Sequence, residues 1–389
     1  MQRRQIIGRI AAAGFALCAA LPAVAQDTLK VGLILPMTGP FASTGRQIDA
    51  AVKLYLAQHG DKVAGKTVEV LLKDDGGVAD QTRRIAQELI VRDKVVALAG
   101  FGLTPLAFAT APLATQSKTP MVVMAAATAS ITERSPYIVR TGFTLPQVTM
   151  PIAEWAPKNG IKKVVTLVSD YAPGIDAEKA FIDRFTLNGG TIATQLRVPM
   201  ANPDFAPFLQ RVQDAKPDAV FVFVPSGIGA AFMKQFSERG LDKAGIKIIG
   251  PGDVVDDDIL NGMGDVALGV VTSGHYSAAH PSALNKKYVA GMAKSGQRAN
   301  FHSVGGYDGM RVIMEGLKAS KGQGGDALLA AMKGQTFESP RGNVYIDAQT
   351  RETVQDVYIR KVERGADGEL WNVEFDVIKG VKDPTHKSK

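Results

Sequence analysis

The sequence predicts an α/β protein with two similar lobes, each built on a parallel sheet that helices cover on both faces. Short, almost continuously apolar segments alternate with segments whose apolar residues recur at helical spacing, which is the pattern of βαβ units. This alternation occurs in two successive series, and each series accounts for one lobe. The size fits, because 389 residues with 46% hydrophobic and 21% charged content suit two or three domains.

The first series of elements begins with a predicted strand at residues 29–35. A helix follows, in which Ile48, Val52 and Tyr55 share one face because their spacing matches the helical repeat. The other predicted elements of this series are a strand at 67–72, a helix that buries Ile85, Leu89 and Ile90, a strand at 95–99, a helix at 105–116, and strands at 121–124 and 137–140.

The second series repeats the same alternation and builds the second sheet. Its strands are nearly continuous apolar runs, which predicts that helices bury them on both faces. The predicted strands are residues 163–168, 191–198, 219–224, 246–249 and 270–272, with helical segments between them.

The N-terminal segment differs from the rest of the chain. Arg3 and Arg4 precede an alanine-rich apolar stretch that ends in an A-x-A triplet, a pattern typical of an export signal. We therefore expect a signal peptide at residues 1–25 that is cleaved after Ala25, and a periplasmic mature chain. The paired arginines leave the twin-arginine route open beside the ordinary secretory route. The apolar run is too short for a membrane anchor, so the mature protein is not expected to span a membrane.

Cysteine usage and charge exclude several function classes. Cys18 is the single cysteine, and it lies in the predicted signal, so we expect no disulfide, thiolate nucleophile or cysteine metal ligand in the mature chain. The formal net charge is +7, and without the three signal arginines it is +4, spread along the chain without a basic block. Nucleic-acid binding gains no support from this distribution.

The loop after the first predicted strand resembles a phosphate-binding loop only superficially. It contains Gly39 and Gly45 with several hydroxyl residues. A nucleotide phosphate loop needs Lys and then Ser or Thr after its last glycine, whereas this chain has Arg46 and Gln47. The loop is therefore expected to hold something smaller than a nucleotide, or nothing.

Similar loops of small and hydroxyl residues follow five later strands, at the sheet edge where open α/β sheets bind ligands. Helix capping explains the hydroxyl groups, and Thr104 is predicted to cap the helix that begins at Pro105. Capping gives no reason for the tiny side chains, which leave room for a ligand between facing lobes. These loops begin at Gly100, Ala125, Ser169, Pro225 and Gly250.

The signatures of an enzyme are missing. Gly227 and Gly229 resemble a dinucleotide-binding turn, but Phe232 stands where the third glycine belongs. Neither a G-x-S-x-G elbow nor an H-E-x-x-H pair occurs, so we expect no catalysis, no cofactor and no metal. The histidines that fall close together in sequence are His275, His280 and His302, and their spacing does not place two on one helix face.

Six segments, spread over nearly the whole predicted mature chain, carry a family resemblance. They are VGLILPMTGP at 31–40, Ala127-Thr128, YIVR at 137–140, Ser169-Asp170-Tyr171, Gly264-Asp265 with Gly269, and YDGM at 307–310. Together they resemble the periplasmic solute-binding proteins of branched-chain amino-acid-type ABC transporters. The resemblance implies a type I periplasmic binding protein, with two Rossmann-like lobes joined by three crossing segments. Such a protein closes over a small carboxylate solute and delivers it to inner-membrane ABC permease subunits.

The resemblance also implies where the lobes begin and end. The N-terminal lobe is expected at residues 27–142 and 276–343, and the C-terminal lobe at 143–275 and 344–380. The crossing segments are expected near residues 141–145, 273–277 and 343–347.

The ligand contacts of the family fall on loop residues of both lobes. First-lobe hydroxyl and backbone N–H groups of the amino-acid binders grip the ligand carboxylate, and a second-lobe acid pairs with its ammonium. The positions implied for this chain are Thr44, Thr104, Ala126, Ala127, Thr128, Tyr171, Pro173, Ser226 and Gly252.

At the position where the amino-acid binders carry this second-lobe acid, the sequence has a glycine, Gly252. Burying an ammonium without a partner costs several kcal/mol, so we favour a carboxylate ligand without an amine. Asp253 could replace the missing acid if the loop turns differently. Residues 256–258 are three further aspartates, which are expected to serve the dipole of the helix that they open.

The body of the ligand is expected to meet aromatic side chains. Tyr171, Tyr276 and His302 are candidates for stacking on an aromatic acid, and each is also a plausible core residue. A branched-chain amino-acid binder of the same transporter type is the alternative. A ligand sensor of the cytoplasm and an enzyme on two α/β lobes are less favoured, because of the export signal and the missing motifs.

Overall fold

The first lobe is built on a six-stranded sheet in a computed structural model, which describes residues 28–386. The predicted export signal lies outside the described residues. The strand order is β2-β3-β1-β4-β5-β6, with every neighbouring pair parallel except the β2–β3 hairpin. The strands are β1 Thr28–Leu35, β2 Lys62–Val63, β3 Lys66–Asp74, β4 Ala97–Gly100, β5 Met121–Val123 and β6 Ile138–Arg140.

The second lobe is built on a nine-stranded mixed sheet. A parallel part has the order β11-β10-β9-β7-β8, and β14 continues it antiparallel to β11. The hairpin β12–β13 extends the sheet beyond β14, which also pairs with β15. The strands are β7 Lys163–Ser169, β8 Thr191–Val198, β9 Ala219–Phe223, β10 Lys247–Pro251, β11 Val271–Gly274, β12 Thr336–Ser339, β13 Gly342–Ile346, β14 Thr353–Arg364 and β15 Leu370–Val381.

Helices cover both sheets, and the two-lobe α/β prediction is confirmed. Short 3-10 helices lie at Ala129–Arg134, Gly252–Val255 and Asn261–Ala267. The α-helices are α1 Ala42–His59, α2 Ala79–Val91, α3 Thr104–Ser117, α4 Leu145–Lys158, α5 Ala172–Leu187, α6 Ala206–Ala215, α7 Ser226–Glu238, α8 Asp257–Leu260, α9 Ala283–Lys294, α10 Phe301–Ala319 and α11 Gly325–Met332.

The chain passes between the lobes after β6, after β11 and before β12. Helix α10 packs against α1 in the first lobe, where the Tyr55 and Tyr307 rings meet edge to face at 5.2 Å. The β12–β13 hairpin belongs to the second sheet, so residue 343 lies inside that sheet. The exact lobe boundaries stay predictions. Within residues 28–386, no helix combines the length and the apolar character that a membrane span requires.

Candidate functional site

One cleft between the lobes lies at the carboxyl ends of strands from both sheets. The space between its walls is about 400 Å³ when the open solvent at its mouth is included, and the cavity itself is about 30 Å³. The predicted residues that line it are Thr44, Thr104, Ala126, Ala127, Tyr171, Pro173, Ser226, Asp253 and His302. The lining residues that were not predicted as ligand contacts are Phe41, Gly102, Leu103, Ala125, Phe143, Leu145, Phe223 and Pro225.

Other predicted site residues are not among those that line the cleft. Thr128 turns its carbonyl oxygen to Arg140, whose Nη2 donates to it at 2.7 Å. Tyr276 is fully buried, and its hydroxyl donates to Asn285 Oδ1 at 2.9 Å. Gly252 directly precedes Asp253, which lines the cleft, and it lies next to the buried side chain of Arg360. The ligand role of Thr128, Gly252 and Tyr276 stays a prediction.

Helix N-termini from both lobes meet at the cleft. Lining residues lie at or next to the first turns of α1 and α3 in the first lobe, and of α5 and α7 in the second. The first N–H groups of a helix lack partners within the helix, and the helix dipole makes this end partly positive. No Lys or Arg is among the residues that line this cleft. The cleft therefore presents backbone N–H groups and side-chain donors, and not a cationic side chain, to an anion.

Thr104 is not the helix cap that the sequence predicts. The cap position of α3 is Leu103, without a side-chain capping bond, and Thr104 is already helical. Its Oγ1 is buried and finds no hydrogen-bond partner in the described part of the chain. A buried hydroxyl without a partner is unfavourable, and in the wall of a cleft it can bond a ligand instead.

The loop after β5 is held from behind by Arg140. The guanidinium is fully buried and pairs with Glu352, with Nε 2.7 Å from Oε2. Its Nη1 also donates to the carbonyl oxygens of Ala126 at 2.8 Å and Phe143 at 3.0 Å. The amide of Ala126 itself donates to Phe101 O at 2.9 Å, so this N–H group is already used. Arg140 thus fixes the small-residue wall of the cleft, a role that no local motif indicates.

Aromatic side chains form the apolar walls. The ring of Tyr171 stacks on Phe223 with centroids 6.1 Å apart. The ring of Phe143 stacks on His275 at 4.6 Å. Phe143 and Phe223 both line the cleft. Phe143 follows β6 and Phe223 ends β9, and the sequence around them does not distinguish them from core residues. These walls suit a flat apolar ligand.

His302 and Ser226 connect the lobes across the cleft, with His302 Nε2 3.3 Å from Ser226 Oγ. Burial lowers the pKa of His302 to about 3, so the imidazole is neutral at physiological pH and one ring nitrogen accepts. Its Nδ1 is buried without a hydrogen-bond partner among residues 28–386. The pair therefore offers neutral polar groups to a ligand.

His275 and His280 take part in contacts within the protein. His275 Nε2 lies 3.1 Å from Phe301 O, and His280 Nδ1 lies 2.9 Å from Glu374 Oε1. Over residues 28–386, no group of three or more His, Cys, Asp or Glu side chains is arranged to hold a metal ion.

Asp253 is the carboxyl group among the lining residues. It is 6% exposed, and burial raises its pKa to about 7, against an opposing effect of Arg360. A carboxyl group with this pKa carries a proton part of the time near neutral pH. It can donate to a ligand oxygen when protonated and accept from a hydroxyl or ammonium when ionised.

The three aspartates at residues 256–258 serve structural contacts. Asp256 caps α8 by accepting from the amide of Asp258, as the sequence suggests. Asp257 Oδ1 accepts from the amide of Asn372 at 3.1 Å. Asp258 reaches the other lobe, where Gln47 Nε2 donates to its Oδ1 at 2.6 Å. None of the three is among the residues that line the cleft.

The lobes also touch at the mouth of the cleft. A Cβ on Gly227 would lie 2.3 Å from Pro40 O, and one on Gly229 would lie 2.4 Å from Val254 O. These are the two glycines that resemble a dinucleotide-binding turn. Their absent side chains instead let the start of α7 approach its neighbours, including a loop of the opposite lobe.

The chain matches the family model described as periplasmic binding protein over residues 28–369. This chain belongs to the periplasmic binding protein family. The type I fold expected from the resemblance is confirmed. Membership is consistent with a periplasmic location.

Similar proteins of known structure are solute-binding proteins of ABC transporters. One from Rhodopseudomonas palustris BisB5, in complex with 3,4-dihydroxybenzoic acid, is 64% identical, has a TM-score of 0.90, and covers 92% of this chain and 99% of its own. One from Rhodopseudomonas palustris HaA2, in complex with p-hydroxybenzoic acid, is 43% identical, has a TM-score of 0.89 and covers the same shares. A curated relative, Leu/Ile/Val-binding protein homolog 6 of Brucella melitensis, is 43% identical over 98% of this chain and 99% of the relative.

Proposed function

We propose that this protein is the periplasmic substrate-binding component of an ABC uptake transporter and that its solute is an aromatic carboxylic acid. The observation that carries the proposal is the cleft itself, in which helix N-termini and the partnerless Thr104 hydroxyl face a space between aromatic walls. The similar proteins in complex with hydroxybenzoic acids support the same ligand class.

The two ends of such a ligand meet different groups. The carboxylate lies against the first lobe, at the start of α3 and the loop after β5. The ring lies between Tyr171, Phe223 and Phe143. Ring hydroxyl groups face the second-lobe groups, Asp253 and Ser226, which both donate and accept.

The expected interaction energies suffice without a cationic side chain. Three or four charge-assisted hydrogen bonds contribute about 1.5–3 kcal/mol each, and burial of a ring contributes about 1.5–3 kcal/mol. Their sum, about 6–15 kcal/mol, reaches the roughly 8 kcal/mol of a micromolar complex over most of its range. The upper part of the range also offsets the loss of ligand freedom and the closure of the lobes.

Export and delivery complete the proposed function. The signal is cleaved after Ala25, and the mature protein passes its solute to inner-membrane ABC permease subunits. Closure over the ligand changes the surface that the permease contacts.

The second candidate is an amino-acid binder of the same transporter type. Asp253 favours it, because a buried carboxylate in the cleft wall could pair with an ammonium. The curated relative named as a Leu/Ile/Val-binding protein homolog also points to this class.

A ligand screen with the purified mature protein separates the two candidates. We expect 4-hydroxybenzoate, 3,4-dihydroxybenzoate or benzoate to raise the melting temperature, because a ligand at a hundred times its Kd adds about 2.7 kcal/mol to the free energy of unfolding. Titration calorimetry then gives Kd values. A response to leucine, isoleucine or valine and none to the aromatic acids would replace the proposal with the second candidate.

Thr104→Val tests the carboxylate end of the site. The change removes a hydroxyl with no protein partner, so the free energy of unfolding of the ligand-free protein should not fall. Loss of one hydrogen bond to an anion should weaken binding by about 1–3 kcal/mol. Calorimetry with 4-hydroxybenzoate and thermal unfolding measure the two effects. Thr110→Ala on the same helix is the control, because Thr110 is buried and donates to Leu106 O at 3.1 Å; it should lower stability and leave Kd unchanged.

A further inference from the structure

A buried cation lies directly behind the second-lobe wall of the cleft. Arg360 on β14 is 1% exposed. Its Nη1 donates to Tyr276 O at 2.6 Å and its Nη2 to Thr272 Oγ1 at 3.2 Å, both neutral acceptors. Among residues 28–386, no carboxylate oxygen lies within the 4.0 Å of an ion pair with this guanidinium. Since arginine stays charged in proteins, the site carries a positive charge without a direct counterion.

Two glycines make the space for this guanidinium. A Cβ on Gly252 would lie 2.0 Å from Arg360 Nη2, and a Cβ on Gly274 would lie 2.7 Å from the same atom. Neither position can therefore carry a side chain while Arg360 keeps its place. Gly252 is also the position at which the amino-acid binders are expected to carry their acid. The structure thus puts a cation where a side chain at that position would begin.

The acids near Arg360 only partly compensate it. Asp257, Asp256 and Asp253, which follow β10, act on its charge, as does Glu374, which lies opposite Arg360 on β15. Burial raises the pKa of each of the three aspartates, which favours their neutral forms. Asp256 also accepts from Asn300 Nδ2 at 2.8 Å. The second-lobe end of the cleft is consequently more positive than its aspartates alone indicate.

We propose that Arg360, seated in the space above Gly252 and Gly274, sets the charge class of the ligand by disfavouring an ammonium and favouring an amine-free carboxylate. Arg360 is a positioning and selectivity residue, since Asp253 and Gly252 separate it from the cleft. The inference rests on the proposed function, and it explains why Asp253 alone does not make the cleft an ammonium site.

The test compares two ligands that differ by one amine, 4-hydroxyphenylacetate and 4-hydroxyphenylglycine, with 4-hydroxybenzoate as the reference. Affinities are measured by calorimetry, directly or by displacement of bound 4-hydroxybenzoate. In the wild type we expect the amine to weaken binding by at least about tenfold, because position 252, where the amino-acid binders are expected to pair with the ammonium, adjoins Arg360 and a like charge in a buried site costs at least this much. We call this loss of affinity caused by the amine the amine penalty. In Arg360→Gln the amine penalty should shrink by about tenfold. Arg360→Lys keeps the charge and should retain the full penalty.

Two further variants separate selectivity from folding. Arg364→Gln changes an arginine of the same strand whose side chain is 47% exposed, and it should leave both affinities unchanged. Gly252→Ala keeps Arg360 but forces its guanidinium to move, so the amine penalty should shrink here even where Arg360→Gln does not fold.

The outcomes distinguish the inference from the proposed function. If the wild type binds 4-hydroxybenzoate but both the arginine-to-glutamine and the glycine variants keep the full amine penalty, Arg360 does not set the ligand class. An equal loss for Arg360→Lys and Arg360→Gln, with the penalty unchanged, would assign Arg360 a purely structural role. If the wild type binds no aromatic acid, the proposed function fails, and the inference with it.

Discussion

Replacing Arg140 with methionine is expected to lower the free energy of unfolding by about 3–5 kcal/mol. The guanidinium is 0% exposed, and it pairs with Glu352, which is 4% exposed, at 2.7 Å. The variant leaves this carboxylate buried without its cation. The variant also removes the guanidinium that donates to the carbonyl oxygens of Ala126, Thr128 and Phe143. Urea denaturation of the ligand-free protein measures the change.

Two further variants test the cause of this loss. Arg140→Met combined with Glu352→Gln should be more stable than the single variant, because it removes the unpaired buried charge. Lys179→Met breaks an exposed pair with Asp183, in which the lysine side chain is 74% exposed, and should cost about 0.5 kcal/mol or less. A loss below about 1 kcal/mol for Arg140→Met would show that the pair is not needed for the fold.

The same arginine connects stability to the site. Its guanidinium donates to carbonyl oxygens of the loop after β5 and to Phe143 O at the first crossing, so loss of the ion pair is expected to loosen the small-residue wall. Arg341 acts similarly at the first crossing, with Nη2 2.6 Å from Thr141 O and an ion pair to Asp308 at 2.7 Å. Two buried cations thus hold the backbone where the lobes join.

Local sequence patterns are enough to predict the parallel part of both sheets. The strand expected at residues 29–35 is β1 Thr28–Leu35, and the strand expected at 219–224 is β9 Ala219–Phe223. Strands of this kind are buried on both faces, so each appears in the sequence as a continuous run of apolar residues. The loops after these strands are then fixed in space by the sheet, which is why most predicted site residues line one cleft.

The antiparallel part of the second sheet was not predicted. Strand β14, Thr353–Arg364, carries charged and polar residues among its buried ones, and it lacks the apolar run that marks β9. Helix α4 was not singled out either, and it contains Pro151 and Pro157 in its interior. Both elements form because tertiary packing overrides a weak local pattern.

Groups in and next to the site come from distant parts of the chain. Gly252 stands in the sequence where the resemblance implies an acid, but the cation that adjoins it, Arg360 on β14, is not marked by any local motif. Phe143 and Phe223 look like ordinary core residues until the lobes are placed face to face. Such contacts depend on how two lobes meet, and no short-range pattern encodes them.

Replacing Gly227 with alanine is expected to weaken ligand binding about 5- to 150-fold without lowering the stability of the ligand-free protein. The added Cβ would lie 2.3 Å from Pro40 O and 3.4 Å from Phe41 Cδ1, both in the opposite lobe. Overpacking of this kind costs about 1–3 kcal/mol, and it arises only when the lobes close. Within α7, alanine is the better helix former by about 0.5–1 kcal/mol, so an open, ligand-free protein should be as stable as the wild type or more stable.

Calorimetry with 4-hydroxybenzoate and thermal unfolding without ligand give the two quantities, and small-angle scattering with saturating ligand reports whether the lobes close. Gly262→Ala is the matched control, because no heavy atom lies within 4 Å of a Cβ at that position; it should change neither affinity nor lobe closure. An unchanged Kd for Gly227→Ala would mean that the contact between Pro40 and α7 is not part of the ligand-bound state. A loss of affinity together with lower stability of the ligand-free protein would place the clash in the open form as well, and closure would then not be its cause.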